Sequence, residues 1–276
     1  WSTSGFFAQA PWFDAWPEES RGVLLAFFRS LFALLILAPL IRRVEFRPAM
    51  VPMTLCFAMM VWTFMTAMVY GSAANTIWLQ YLAPAWVILG SVLLLKEPVS
   101  SHDTRMFAFC IAGVGLILAM ELRSGSTLLA TLLAMLSGVG FAGVVLSMRK
   151  MNDVDPLWLI SLNHAATVII LLPWAWQGYQ PIEASSYVAL AAFGVFQMSV
   201  PYLLFAWGLR SVASAEASML TLIEPVLVPI WVYLAWHSHP SYVSPSWWTI
   251  AGGGLILVGL VQRYLPLLLR RKPKAV

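Results

Sequence analysis

Two stretches of the chain, GSAANTIWLQYLAPAWV at 71–87 and VASAEASMLTLIEPVLV at 212–228, align without a gap when the sequence is shifted against itself. Leu79 then meets Leu220 and Pro84 meets Pro225. A further match follows in the same order, since IAGVGLIL at 111–118 resembles IAGGGLIL at 250–257. Matches that keep a common order over two halves predict an internal repeat.

The composition identifies the solvent in which this repeat folds. Of 276 residues, 61% are hydrophobic and 10% are charged, whereas a soluble domain carries about 25% charged residues. A soluble fold this size could not hide so much apolar surface. The net charge of +4 comes from short basic clusters between apolar runs, which argues against a nucleic-acid partner. The expected partners are the lipid bilayer and a small-molecule substrate.

Runs of about 20 apolar residues, the length that crosses a bilayer, recur along the chain. We place full spans near 20–41, 49–70, 72–95, 104–121, 126–148, 156–177, 187–208, 212–236 and 246–266. Residues 1–12 are apolar but short, and we interpret them as the tail of a further span whose start lies before Trp1. The predicted fold is therefore all-α and membrane-embedded, with ten transmembrane helices.

The basic residues give this topology an orientation. If the 42–48 loop is cytoplasmic, thirteen Lys and Arg residues lie on the cytoplasmic side, and only Arg21 and Arg123 lie opposite. The thirteen are Arg42, Arg43, Arg47, Lys96, Arg105, Arg149, Lys150, Arg210, Arg263, Arg270, Arg271, Lys272 and Lys274. Such a bias follows the positive-inside rule. We expect a multi-pass protein of the bacterial inner membrane with both termini in the cytoplasm.

An odd number of spans in each half turns the second half upside down relative to the first. The predicted halves are 1–123, whose first helix is truncated, and 124–276, which carries a basic cytoplasmic tail. Inverted repeats are typical of secondary transporters, whose substrate site lies near the bilayer midplane between the halves. Duplicated helices that serve packing alone are the alternative.

Three stretches resemble the drug/metabolite transporter superfamily in their order. They are AFFRSLFALLILAPL at 26–40, SAANTIWLQYLAPAWVILGSVLLLKEPVS at 72–100 and SAEASMLTLIEPVLVPIWVYLAW at 214–236. The resemblance covers nearly the whole chain. It implies ten helices in two inverted five-helix repeats that move small metabolites, with bacterial members that export amino acids, aromatic ones among them.

Pro84 and Pro225 correspond under the repeat, and each falls near the middle of its span. Proline lacks an N–H and clashes with the carbonyl four residues earlier, which releases the carbonyls of Gln80 and Thr221. A freed carbonyl at membrane depth must find a partner in protein or in a water-filled cavity. A symmetric pair of helix breaks is the best sequence indication of a transport site; a packing kink is the alternative.

Two charged residues lie deep within spans. Glu224 is near the centre of 212–236, where a carboxylate is costly and therefore indicates function by default. It either couples transport to a proton or stabilises the break at Pro225. Arg29 needs a counter-charge, for which Glu224 and Glu121 are both candidates.

The expected substrate-binding residues lie in the spans matched by the repeat: Asn75, Trp78, Tyr81, Tyr202, Glu216 and Met219. Trp78 and Asn75 share one helical stripe that could offer a stacking surface to a flat or cationic substrate; packing is the alternative. Asn163 and His164, in the middle of the span 156–177, are interpreted as interhelical hydrogen-bonding groups.

One motif is discarded as a cofactor site. GVGFAG at 138–143 matches a dinucleotide-binding pattern, but no strand precedes it inside an apolar span. Its glycines, with Gly113, Gly115 and Gly252–Gly254, are expected to let helices approach closely. Cys56 and Cys110 both lie in apolar runs, which indicates neither a disulfide framework nor a metal site. No metal or other cofactor is expected.

The leading hypothesis is a secondary transporter that exports small metabolites such as amino acids, aromatic ones included, by alternating access. An efflux pump for lipophilic or cationic drugs is the alternative. A different class, an intramembrane enzyme, is disfavoured because the sequence has no HExxH, paired intramembrane Asp or GxSxG motif. We expect the protein to be monomeric and not an enzyme.

Overall fold

The computed structural model describes residues 1–96, 98, 100–124, 128–151, 153–208, 221–240 and 242–269. Within these ranges every regular element is a helix. The first half contains α1 (Ser4–Ala8), α2 (Glu18–Leu37), α3 (Met50–Tyr70), α4 (Ala73–Gln80), α5 (Ala83–Leu95) and α6 (Ser101–Ser124). The second half contains α7 (Leu128–Arg149), α8 (Pro156–Gly178), α9 (Ala184–Ala192), α10 (Val200–Gly208), α11 (Glu224–Trp236) and α12 (Trp247–Leu269).

Short irregular helices complete these elements. Turns of 3-10 helix follow α1 at Pro11–Phe13 and α2 at Ala38–Leu40, and a π-helical segment, Phe193–Ser199, joins α9 to α10. The span predicted at 187–208 is therefore one continuous rod with a wider turn in its middle. Such π-helical turns occur frequently at functional sites.

Eight helices among the described residues are long and apolar enough to cross a membrane. They are Glu18–Leu40, Met50–Tyr70, Ala73–Leu93, Ser101–Ser124, Leu128–Met148, Pro156–Gly178, Ala184–Leu204 and Trp247–Leu265. Eight of the nine full spans predicted from the sequence are thereby found. Of the ninth, at 212–236, the structure describes the part from residue 221 onward, which contains the shorter apolar helix α11. The chain is a multi-pass, α-helical membrane protein.

The outer surface of the bundle is apolar, as a protein in lipid requires. Ile111 is 69% exposed, Val188 is 71% exposed and Trp176 is 82% exposed. In water, a surface this rich in large apolar side chains would cause aggregation. The polar side chains Arg29, Asn163 and His164 are instead fully or almost fully buried. In the middle of these helices, apolar side chains therefore lie on the outside and polar ones on the inside, the reverse of a soluble protein.

Long-range packing joins helices of the two halves. α2 runs along α8, α3 runs along α7, and α6 runs along α12, while α4 contacts both α7 and α11. A first core cluster lies around α2, α3 and α8, with Leu24, Phe57 and Leu159 at its centre. A second, smaller cluster lies between α4, α6 and α12.

Glycines set the distance between α6 and α12. A Cβ atom on Gly113 would lie 2.5 Å from the carbonyl oxygen of Gly252, and one on Gly252 would lie 2.7 Å from the carbonyl oxygen of Gly113. The predicted close approach is therefore confirmed at this crossing. It is wrong for Gly115 and Gly254, where a Cβ atom would meet no described atom within 4 Å.

The GVGFAG segment of α7 has the packing role expected of it. A Cβ atom on Gly140 would lie 2.9 Å from the carbonyl oxygen of Cys56, and one on Gly143 would lie 2.5 Å from the Cys56 sulfur. The first glycine of the segment, Gly138, faces the carbonyls of Leu79 and Gln80. These contacts let α7 lie directly against α3 and the end of α4.

The loops on either side of α2 bind loops of the second half. Before α2, the Trp16 indole donates to the carbonyl of Gln180 at 2.8 Å. On the opposite face, beyond α2, the Trp158 indole donates to the carbonyl of Glu45 at 2.6 Å. Each contact joins the start of one long helix to the loop that follows its packing partner.

An exposed ion pair reinforces the second of these faces. Arg47 donates from both terminal nitrogens to the Asp153 carboxylate, at 2.8 and 2.7 Å. Such fork-to-fork geometry is the strongest form of an Arg–carboxylate contact. It holds the pKa of the Asp153 carboxyl below its ordinary value.

Candidate functional site

The first helix break separates α4 from α5. α4 ends at Gln80, and α5 begins at Ala83 with Pro84 as its second residue. Proline is well placed in the first turn of a helix because its missing N–H would have no intrahelical acceptor there. Gly138 leaves room for the broken end of α4, since a Cβ atom at this position would lie 3.1 Å from the Gln80 carbonyl oxygen.

The second break has the same local form. α11 begins at Glu224 after the N-cap residue Ile223, with Pro225 as its second residue. The two residues before Glu224 form a turn, as Tyr81 and Leu82 do at the first break. Both prolines therefore open a new helical segment after a short turn.

One side chain joins the two breaks. The Tyr81 hydroxyl donates to the Thr221 carbonyl oxygen at 2.6 Å and lies 2.9 Å from Oε2 of Glu224. A carbonyl released at the second break is thus satisfied by a residue of the first break. A phenol has a single hydrogen to donate, so both contacts are complete only when Glu224 is protonated and its own O–H donates to Tyr81.

A second charged residue of the site, Arg29, lies in the middle of α2. It is 3% exposed, and its Nη1 donates to Oε1 of Gln197 at 3.2 Å. Its guanidinium carbon lies 5.2 Å from the centre of the Phe193 ring, a cation–π distance. Both partners belong to the π-helical segment.

Gly194 allows that segment to reach α2. A Cβ atom on Gly194 would lie 2.8 Å from the carbonyl oxygen of Arg29 and 2.5 Å from Cβ of Phe32. A larger residue would push the segment away and lengthen the bond between Arg29 and Gln197.

The structure distinguishes between the two counter-charges considered for Arg29. Glu224 lies within electrostatic range of the guanidinium, as does Tyr202. Glu121 instead accepts a hydrogen bond from the Trp248 indole at 3.1 Å, between α6 and α12. Of the two candidates, Glu224 is therefore the carboxyl that acts electrostatically on the buried Arg29.

His164 faces Arg29 from α8. Its ring is fully buried, with the Phe57 ring edge-on at 5.1 Å and the Tyr202 ring at 6.2 Å. Neither ring nitrogen has a hydrogen-bond partner among the described residues, and the same holds for the amide oxygen of Asn163. For these atoms, the predicted interhelical hydrogen bonds are absent from the described part of the chain.

The other predicted binding residues lie in different surroundings. Asn75 donates to the Thr131 hydroxyl at 3.4 Å, and the Trp78 ring covers Gly253 of α12. The Tyr202 ring lies edge-on to Trp1 at 5.0 Å. Glu216 and Met219 lie outside the described residues. Of the predicted residues, the structure brings Tyr81, Tyr202, Arg29 and Glu224 together.

Gln197 and Phe193 are site residues that the sequence reasoning missed. A glutamine within an apolar span carries the same indication as Arg29, because an amide at that depth needs a partner. Gly194, three positions earlier, marks a close backbone approach. Among the described residues, no three His, Cys, Asp or Glu side chains are grouped so as to hold a metal ion.

Comparisons with known proteins agree with this architecture. Residues 1–119 and 128–262 match the model of the EamA-like transporter family. An uncharacterized transporter of Archaeoglobus fulgidus is 26% identical over 246 residues, which cover 86% of this chain and 84% of that protein. The uncharacterized transporter YxxF of Bacillus subtilis is 23% identical over 163 residues, or 56% of this chain, and the match spans about half of that protein, 51%. A crystal structure at 18% identity superposes with a TM-score of 0.62, covering 98% of this chain and 95% of the other, and shares the fold.

Proposed function

The chain belongs to the EamA-like transporter family, part of the drug/metabolite transporter superfamily, and on that premise we propose that it exports small metabolites by alternating access. Amino acids, aromatic ones included, are the substrate class we favour. The observation that carries this proposal is the pair of helix breaks joined by Tyr81, with the buried Arg29 within electrostatic range of Glu224 at the second break.

The packing supports an arrangement of ten helices in two inverted halves, 1–123 and 124–276. In two halves related by a twofold axis, equivalent helices that lie close to the axis contact each other. The pairs α2 with α8 and α6 with α12 are equivalent under the sequence repeat, and each pair is in contact. The two proline breaks are equivalent in the same way.

Alternating access is supported by the two indole contacts. Trp16 precedes α2 and Trp158 lies in the first turn of the equivalent helix, α8. Each indole donates to a loop of the other half, one at each face of the bundle. An inverted repeat can open at one face while it stays closed at the other. We propose that the indole contact at one face breaks while the contact at the other face is kept, and that the two alternate.

Zwitterions fit this site better than the alternative substrates, lipophilic cations. A cation alone would be attracted by Glu224 but repelled by Arg29, which lies within electrostatic range of that carboxylate. A molecule that carries both charges would find a partner for each. An intramembrane enzyme remains disfavoured, because the family and the transporter relatives both indicate transport.

Glu224 is the proposed coupling residue. Its contact with the Tyr81 hydroxyl is complete when the carboxyl carries a proton, and loss of that proton weakens the link between the breaks. Glu224 would take up a proton from one side of the membrane and release it to the other. Each step would thereby change the stability of the state in which Tyr81 joins the two helix breaks. The alternative is a purely structural carboxyl that stabilises the break at Pro225.

The test uses purified protein in liposomes and a panel of labelled amino acids, aromatic amines and quaternary cations, with and without a pH gradient. We expect labelled amino acids to accumulate in the liposomes and the pH gradient to drive this accumulation. In Glu224→Gln the amide can still donate to Tyr81, so exchange should persist while the response to the gradient is lost. An unchanged pH response in that variant excludes coupling through Glu224, and accumulation of the cations alone supports the alternative substrate class.

We also propose where the protein resides. The excess of basic residues on one side supports a protein of the bacterial inner membrane with both termini in the cytoplasm. The ion pair between Arg47 and Asp153 joins two loops that this topology puts on one side. We propose a monomer, because the residues of the proposed site all belong to one chain.

A further inference from the structure

Among the described residues, several buried side-chain atoms that lack a hydrogen-bond partner lie where α2 meets α8. They belong to Arg29 and Ser30 on α2 and to Ser161, Asn163 and His164 on α8. We call these five residues the α2–α8 seam. All five side chains are buried, and the two helices run along each other.

These unmatched atoms would be costly in a purely structural network. A buried donor or acceptor that is left unmatched costs about 1–3 kcal/mol, so a structural network is normally complete. Arg29 has five N–H donors. Among the described residues one of its hydrogen bonds is made, to Gln197, and its Nε is buried without a partner.

His164 adds a second group of the same kind. Both ring nitrogens are enclosed and unmatched among the described residues, and its ring is within electrostatic range of Arg29. A neutral imidazole offers one N–H donor. The unmatched Nε–H of Arg29 and the N–H of His164 are thus two buried donors within electrostatic range of each other, and a carboxylate is an acceptor that can use two donors at once.

We propose that the α2–α8 seam is the subsite for a substrate carboxylate, which accepts from Arg29 Nε and from the His164 ring. The proposal rests on the proposed transport function and narrows its substrate class to carboxylates with an apolar or aromatic body. Phe57 and Tyr202, which flank the imidazole, form the beginning of a surface for that body. The ammonium group of an amino acid would then point toward Glu224.

Because the transported molecule is unidentified, the test uses three probes of matched shape. They are 3-phenylpropionate, its uncharged amide 3-phenylpropionamide, and phenethylamine, which replaces the carboxylate by an ammonium group. Binding is measured on purified, monodisperse protein as the ligand-dependent shift of the thermal unfolding midpoint. Wild type is expected to bind the carboxylate about tenfold to a hundredfold more tightly than the amide, the usual value of a charge-assisted contact.

Two variants test the residues. His164→Phe keeps a ring against Phe57 and removes both nitrogens, and Arg29→Lys keeps the charge but removes the planar fork. Each should reduce the preference for carboxylate over amide at least severalfold. Thr167→Val is the matched control, since Thr167 is also buried on α8 but its hydroxyl is satisfied by the Asn163 carbonyl at 2.8 Å; its preference should equal that of wild type.

Equal binding of carboxylate and amide by wild type overturns the subsite, and so does a preference that survives in both variants. Transport provides the separate readout for the function. If carboxylate binding depends on Arg29 and His164 but no amino acid is transported in liposomes, the subsite proposal stands and amino-acid export is refuted. Equally fast transport of phenethylamine and phenylalanine would retain a transporter and refute the carboxylate requirement.

Discussion

Replacing Tyr81 by Phe removes one oxygen atom and, with it, two hydrogen-bond contacts. The hydroxyl lies 2.6 Å from the Thr221 carbonyl and 2.9 Å from the Glu224 carboxyl. Values from soluble proteins, about 0.5–1.5 kcal/mol for each hydrogen bond, give a loss of about 1–3 kcal/mol. Interhelical bonds in membranes fall in a similar range, about 0.6 kcal/mol on average and 1.7 at most, because helices in lipid find other partners when they separate.

The membrane values apply to Tyr81 because both of its partners lie at the centre of spans. We therefore expect Tyr81→Phe to lower the free energy of unfolding by about 1–3 kcal/mol. The transport rate should fall more than stability does if, as we propose, the lost contacts join two halves that move during transport. Stability is measured by denaturant unfolding in mild detergent, and transport in liposomes at equal protein content.

Tyr264→Phe is the control. Tyr264 is a partly buried residue that packs against the second core cluster, and no hydrogen bond of its hydroxyl is found within the described ranges. Its variant should resemble wild type in both assays. If Tyr81→Phe also unfolds and transports like wild type, the contact between the breaks is not a functional link.

Three further predictions concern packing, charge and topology. Gly113→Ala should destabilise the α6–α12 crossing by about 1–3 kcal/mol, whereas Gly115→Ala, which has open space, should be neutral or stabilising by up to about 1 kcal/mol; equal effects on the unfolding midpoint would contradict the packing. Asp153→Asn should unfold more readily than wild type at neutral pH. Because the pKa of Asp153 is lowered in the fold, that difference should vanish as the pH falls below about 4, and a pH-independent difference would refute it. Single cysteines in the 178–186 loop should react with an impermeant reagent outside intact cells and those in the 42–48 loop should not; the reverse would invert the topology.

The spans could be predicted from the sequence because hydropathy and length alone decide what crosses a bilayer. The positions of the breaks followed from Pro84 and Pro225, since proline acts on its own helix and needs no knowledge of the neighbours. The same reasoning showed that the Thr221 carbonyl needed a partner. It could not identify Tyr81, because that contact depends on how two distant helices meet.

The site was less predictable for the same reason. A stripe through Asn75 and Trp78 marks a helix face but not the helix it meets, and the structure sets these two side chains against Thr131 and Gly253. Arg29 was recognised by its depth, while its choice of Glu224 over Glu121 required the packing of α2. The α2–α8 seam could not be predicted either, because each of its polar residues stands alone in an apolar helix and resembles an ordinary packing residue.

The hydrogen bond from Tyr81 to Thr221 also bears on how the protein is made. The donor and the acceptor are 140 residues apart in the chain. At ribosomal speeds of about 5–20 residues per second, the acceptor emerges roughly 7–28 s after the donor. Throughout that interval α4 and α5 exist without the second half, and the Tyr81 hydroxyl sits in an apolar segment before its acceptor has been made. A hydrogen bond that joins two distant parts of the finished protein therefore leaves a polar group of the first part to be hydrated or otherwise satisfied during biogenesis.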